Sequence, residues 1–144
     1  GVSSFCGAAS ALGAEYTLPG VSQSVIITRM AGRTPVPERE QLAALAAHGT
    51  SMVLFLSTGL LGVLTEELLK GAYTAQTPAA IVYKATWPEE KVFRCTVGTL
   101  EETARENNIT KTALILVGDF LNSPYERSKL YDPDFTTEFR KGRG

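Results

Sequence analysis

The segment Ala113–Val117 reads Ala-Leu-Ile-Leu-Val and offers no polar side chain to either face of a strand. A strand with that pattern is covered on both sides, so it belongs in the interior of a sheet with further structure above and below it. Four more runs have strand character: residues 25–27, 52–56, 79–83 and 92–96, all rich in β-branched or aliphatic side chains. The last two are joined by a short polar connection, residues 86–91, which predicts an antiparallel hairpin.

Helical signals fill the intervals. Residues 3–12 predict a helix with Ser3 or Ser4 as cap and Gly13 in the left-handed position past its end. Its Gly7, Ala8, Ala9 and Ala11 carry little side chain, so this face either receives another backbone or a ligand or packs tightly on the sheet. A second helix starts near Pro37, with Glu38 and Glu40 in its first turn, Leu42, Leu45 and Ala46 at helical spacing, and Gly49 past its end. Leu61, Leu64 and Leu68 form the apolar stripe of a third helix, stopped at Gly71. Thr99 and Glu102 have capping-box spacing ahead of a short helix reaching about Asn107, and the polar tail from Asn122 holds one or two short helices. Alternating strands and helices with one hairpin predict an α/β fold: a mixed sheet of about five strands flanked by helices. At 144 residues and 44% hydrophobic content the chain forms one core, which buries roughly 70% of the unfolded surface.

Several function classes fall away. The net charge of −1 creates no field that would gather nucleic acid or an anionic membrane. The longest apolar stretches are far shorter than the roughly 20 residues that span a bilayer. The opening residues lack a basic region followed by an apolar run, so the expectation is a cytoplasmic protein. Cys6 and Cys95 form no disulfide framework or metal-ligand spacing and are expected to be packed thiols, with no metal bound. Motifs of hydrolases and of nucleotide-binding loops are absent.

Positive signals are few. The strand end Leu56, Ser57, Thr58, Gly59 runs into a helix start, an arrangement that either binds a ligand or simply connects two elements. Arg29 and Arg33 sit in a loop after a strand, either solvated or poised for carboxylates. His48 is expected to meet the last carbonyls of its helix, and the basic tail Arg140, Lys141, Arg143 to be a frayed end.

The wording of several segments identifies a family. Residues 1–7, GVSSFCG, resemble the segment that opens the second-domain region of tetrapyrrole methylases. Residues 12–38, LGAEYTLPGVSQSVIITRMAGRTPVPE, resemble the branch that acts on carbon 11 of precorrin-4 or cobalt-precorrin-4. MVLFLSTG, IVYKATWPEEKVFRCTVGTL and ALILVGDFL follow in matching order and spacing.

The resemblance implies methyl transfer from S-adenosylmethionine in cobalamin biosynthesis, with residues 1–144 forming a carboxyl-terminal methyltransferase domain. It also implies an amino-terminal domain with a GxGPGDxxLLT-like segment, which this sequence lacks. The donor would lie between the two domains, with Ser3 and Ser4 facing it at their junction. Leu56 would pack on it, Ala85 would meet its adenosine through main-chain groups, and Thr112 and Ala113 would be neighbours. A homodimer is implied, no metal is needed, and no catalytic acid or base is named. Because the macrocycle carries carboxylate arms, charge complementarity makes Arg29 and Arg33 candidates for anchoring it. A relative acting on another ring position, on ribosomal RNA or on diphthamide would share these features, and a noncatalytic ligand-binding or assembly module is the remaining alternative.

Overall fold

The computed structural model describes residues 1–56, 59–122, 136 and 141. The elements are α1 (Ser4–Leu12), β1 (Val25–Arg29), α2 (Leu42–Ala46), β2 (Ser51–Phe55), α3 (Leu61–Leu69), β3 (Pro78–Tyr83), β4 (Lys91–Thr96), α4 (Leu100–Glu106) and β5 (Ala113–Val117). They build one sheet in the order β1-β2-β5-β3-β4. β1 and β2 are parallel, and every other pairing is antiparallel. β5 is central and buried at every position, as its composition requires.

The pleat of β5 divides the core. Ala113, Ile115 and Val117 face a layer made by α2, α3 and α4, where Leu42, Ala46, Leu64, Leu68, Leu100 and Ala104 are buried. Leu114 and Leu116 face α1 together with Tyr16, Leu18, Phe120 and Leu121. Helices therefore cover both faces, which is the mixed α/β architecture that the alternation of runs predicts. Ser51 opens β2 one residue earlier than expected; it is 1% exposed, its Oγ donating to the Tyr16 carbonyl at 2.6 Å and its N–H to Ser22 Oγ at 3.2 Å.

Four local readings are corrected. The helix expected to run from near Pro37 to just before Gly49 is broken: Glu38–Glu40 form a 3₁₀ turn and Gln41 is extended (φ −58°, ψ 138°) before α2 begins. No residue of that turn is buried, so a continuous helix would gain no packing for its extra turn. The capping pair ahead of α4 is Thr96 with Thr99, whose Oγ1 accepts from the Thr96 N–H at 3.0 Å, so Glu102 takes no part. Gly71 does not end α3 by a left-handed turn, because Lys70 caps the helix in right-handed conformation. Gly71 is needed for another reason: a Cβ there would lie 2.4 Å from the Ala46 carbonyl carbon. Finally, Ser3 precedes α1 without a side-chain cap bond, although Gly13 closes that helix at φ +59° as expected. The expected tail helices fall outside the described residues.

Candidate functional site

β1, β2 and β3 point the same way, so their carboxyl ends meet at one edge of the sheet, where β5 begins. At that edge opens a largely apolar cleft of about 240 Å³. Phe55 and Leu56 reach it from the end of β2; Val82, Lys84, Ala85 and Trp87 from the end of β3 and the loop after it; Thr112, Ala113 and Leu114 from the start of β5; and Ser4 from the first turn of α1. Crevices outside the carboxyl ends of strands are the usual ligand sites of α/β sheets.

The backbone around the cleft is unusual. Lys84, Thr86 and Thr112 have φ of 46°, 71° and 60°, a region that L residues and above all β-branched ones avoid. Such conformations cost of the order of 1–3 kcal/mol each and persist where the surroundings hold them. Here the Lys84 N–H donates to the Thr112 carbonyl at 2.9 Å and the Trp87 N–H to the Lys84 carbonyl at 3.0 Å. Residues 84–87 are thus a tight turn with positive φ at its third position, the type II signature. Among the described residues nothing bonds the main-chain N–H or C=O of Ala85.

The small-residue face of α1 meets this turn. A Cβ on Gly7 would stand 3.0 Å from Thr86 Cγ2 and 3.7 Å from Ala85 Cβ. The far end of α1 is tied down by Arg94 of β4, which donates to the carbonyls of Leu12 at 3.1 Å and Leu121 at 3.0 Å. Sequence reasoning missed Arg94, because only the fold brings Leu12 and Leu121 within its reach.

It missed Lys84 and Trp87 as well. Lys84 is the one ionisable side chain among the described residues lining the cleft. Its Nζ lies 5.4 Å from the Tyr83 ring centre, 5.2 Å from that of Trp87 and 3.7 Å from Glu89 Oε1. The available signal was a cation three residues before an exposed tryptophan in a turn.

Of the residues singled out from the sequence, Ser4, Leu56, Ala85, Thr112 and Ala113 share this cleft. Ser3 is exposed just before α1 and does not line it, and Ser57 and Thr58 lie outside the described residues. Arg29, half-buried, sits opposite Phe55 in the β1–β2 register, at the same sheet edge. Its guanidinium donates to the carbonyls of Met30 (3.1 Å), Thr34 (3.3 Å) and Pro35 (3.3 Å), so it folds its own loop. Arg33 is exposed in that loop. His48 is exposed after α2, and it is its main-chain N–H, not the imidazole expected to meet the last carbonyls, that donates to the Leu45 carbonyl. Cys6 is exposed rather than packed. Burial pushes the Cys95 thiol up, away from reactivity. Lys141 is exposed, whereas Arg140 and Arg143 fall outside the described residues. Among the described residues there is no cluster of three or more metal-ligating side chains, and no helix is long and apolar enough to cross a membrane.

Comparison with known proteins gives this edge a context. The family model described as Tetrapyrrole (Corrin/Porphyrin) Methylases matches residues 1–101. The cobalt-precorrin-4 C(11)-methyltransferase of Methanocaldococcus jannaschii is 48% identical over 142 residues, 98% of this chain and 55% of that protein. The precorrin-4 C(11)-methyltransferase of a Sinorhizobium species is 46% identical over 146 residues, covering 100% of this chain and 57% of the relative. The X-ray structure of the cobalamin biosynthetic enzyme cobalt precorrin-4 methyltransferase, CbiF, superposes with a TM-score of 0.82 at 46% identity, over 85% of this chain and 52% of CbiF. The chain spans about half the length of the curated relatives it matches.

Proposed function

The chain belongs to the tetrapyrrole methylase family, and on that premise we propose that it serves S-adenosylmethionine-dependent methyl transfer to carbon 11 of precorrin-4 or cobalt-precorrin-4, as the carboxyl-terminal domain of a cytoplasmic, homodimeric enzyme. One observation carries the reading: Ser4, Leu56, Ala85, Thr112 and Ala113, drawn from four separate segments, line one cleft at the carboxyl edge of the sheet.

The cleft suits part of such a donor. Its walls are chiefly apolar, and among the described residues nothing bonds the main-chain N–H and C=O of Ala85, which leaves one donor and one acceptor for a heterocycle. At about 240 Å³ it is smaller than the roughly 300–1,000 Å³ of complete small-molecule sites, which fits one wall of a site closed by a second domain. When bound, the donor supplies a sulfonium methyl group open to in-line displacement by a nucleophilic ring carbon. The work of this chain is orientation. Ala85 holds the adenosine edge, Leu56 and Ala113 exclude water along its face, and Ser4 marks where the other domain joins. No acid, base or metal is assigned a role, and positioning supplies the rate enhancement. Arg33 anchors a carboxylate arm of the macrocycle, in a loop whose shape Arg29 maintains.

The test uses this chain alone and mixed with an amino-terminal domain from a full-length relative, each given precorrin-4 and S-adenosylmethionine. Methyl transfer is expected from the mixture only, with the isolated chain binding S-adenosylhomocysteine weakly. Equal turnover by the isolated chain would remove the two-domain reading.

A further inference from the structure

Trp87 is the single tryptophan of the chain, stands 54% exposed and lines the cleft. An indole left so open forgoes the burial that makes tryptophan favourable, unless something else covers it. Yet the backbone that carries it is firmly set. The main-chain N–H of Trp87 closes the strained turn onto the Lys84 carbonyl, and the Thr86 N–H before it is tied to Glu90 Oε2 at 2.5 Å. Lys84 Nζ approaches the indole, itself held by the Tyr83 ring and Glu89.

Two residues back in the same turn, Ala85 lines the same cleft, and among the described residues nothing bonds its main-chain N–H or C=O. A planar heterocycle is thereby offered hydrogen bonds along its edge and an aromatic surface within the same turn. That combination selects a flat nitrogen base over an aliphatic chain of equal size. We infer that Trp87 is the stacking and specificity-determining residue for the purine ring of the methyl donor, and that Lys84 is the positioning residue that holds the indole in place. The inference rests on the donor reading proposed above and adds to it the residue that recognises the base.

Because Trp87 is the only indole, indole fluorescence reports the surroundings of this one position. S-adenosylhomocysteine and adenosine, each titrated to millimolar concentration, are expected to change the emission of the unaltered chain. By calorimetry, Trp87→Ala is expected to weaken both ligands by the same factor, about tenfold, the scale of one base stacked on one aromatic ring. Trp87→Phe is expected to stay within about threefold of the parent, since a ring remains. Lys84→Met should shift the emission of the ligand-free chain, with Lys84→Arg restoring it. If Trp87→Ala misfolds, the fluorescence of the unaltered chain still decides.

Binding of S-adenosylhomocysteine with no change in emission overturns the inference and leaves the donor reading standing. So does a Trp87→Ala variant that binds as the parent does, or one that loses S-adenosylhomocysteine but not adenosine, which would put the indole against the amino-acid tail. Failure of the unaltered chain to bind either ligand overturns the donor reading and this inference together.

Discussion

Replacing Gly71 by alanine tests whether α2 and α3 meet backbone to backbone. An ideal Cβ at position 71 lies 2.4 Å from the carbonyl carbon of Ala46, 2.5 Å from its Cβ and 2.6 Å from its oxygen. Carbon atoms pack at roughly 3.5–4.0 Å, so the end of α2 and the segment after α3 must part by about 1 Å. Ala46 and Leu68 are fully buried, and the Ala72 N–H donates to the Ala46 carbonyl at 3.0 Å, so separation disturbs both packing and a hydrogen bond. Overpacking costs roughly 1–3 kcal/mol and a weakened bond about 1 kcal/mol, offset by roughly 0.5–1 kcal/mol from the stiffer unfolded chain. The net expectation is a loss of about 2–3 kcal/mol, a large share of the 5–15 kcal/mol (about) that typical domains possess. Urea unfolding followed by circular dichroism should show a lower midpoint at unchanged slope. Adding Ala46→Gly should recover only part, because the contacts with the main-chain carbon and oxygen remain. A Gly71→Ala variant within about 0.5 kcal/mol of the parent, or full rescue by Ala46→Gly, would refute the reasoning.

Gly7→Val should press on Thr86 and shift the turn at residues 84–87, lowering S-adenosylhomocysteine affinity about tenfold by calorimetry; unchanged affinity would mean the turn is not set by α1. Arg29→Ala should cost about 1–2 kcal/mol in urea unfolding and speed proteolysis of the loop at residues 31–36, and Arg29→Lys should recover little, because one ammonium cannot replace a fork spanning three carbonyls. Arg33→Ala should weaken tetrapyrrole binding to the two-domain mixture about tenfold while sparing the donor, and a normal titration would return the loop to solvent. Burial raises the Tyr16 hydroxyl to about 12, with nearby Cys6 adding to the rise, and burial raises Tyr73 to about 12 as well. The neutral forms are the ones stabilised, so their contribution is complete below pH 10 and is lost as the pH climbs towards 12. Tyrosinate absorbance should show two late-ionising tyrosines whose titration coincides with loss of circular dichroism; five tyrosines ionising together near pH 10 in a folded chain would contradict this.

Much of the cleft is built from residues whose type says little. Ala85 and Ala113 are small apolar positions like many others, and the resemblance, not their chemistry, singled them out. Arg29 shows the opposite case: a conspicuous guanidinium at a strand end invites a binding role, yet three of its five N–H groups go to the carbonyls of Met30, Thr34 and Pro35 of its own loop. Lys84 and Trp87 drew no attention as a pair, because a positive φ at Lys84 and Thr86 is a property of the turn and not of the residue names. Glycine was read too locally at position 71, where the constraint comes from Ala46, twenty-five positions earlier, and not from the helix that ends beside it.

What the sequence by itself determined is local and periodic. The all-apolar run Ala113–Val117 predicts an interior strand, the two runs either side of a polar connection predict a hairpin, and the spacing of Leu61, Leu64 and Leu68 predicts a helix buried on one side, as found. Such patterns state whether a segment is buried and on which side, since they follow from the periods of strand and helix. They do not state which neighbour it meets. Tertiary structure alone decided that β5 inserts between β2 and β3, and so brought Leu56, Ala85 and Thr112 to a single edge beside Ser4. The physical reason is that apolar strand faces are nearly interchangeable as partners, and the choice among them is made by how all the helices and strands pack at once.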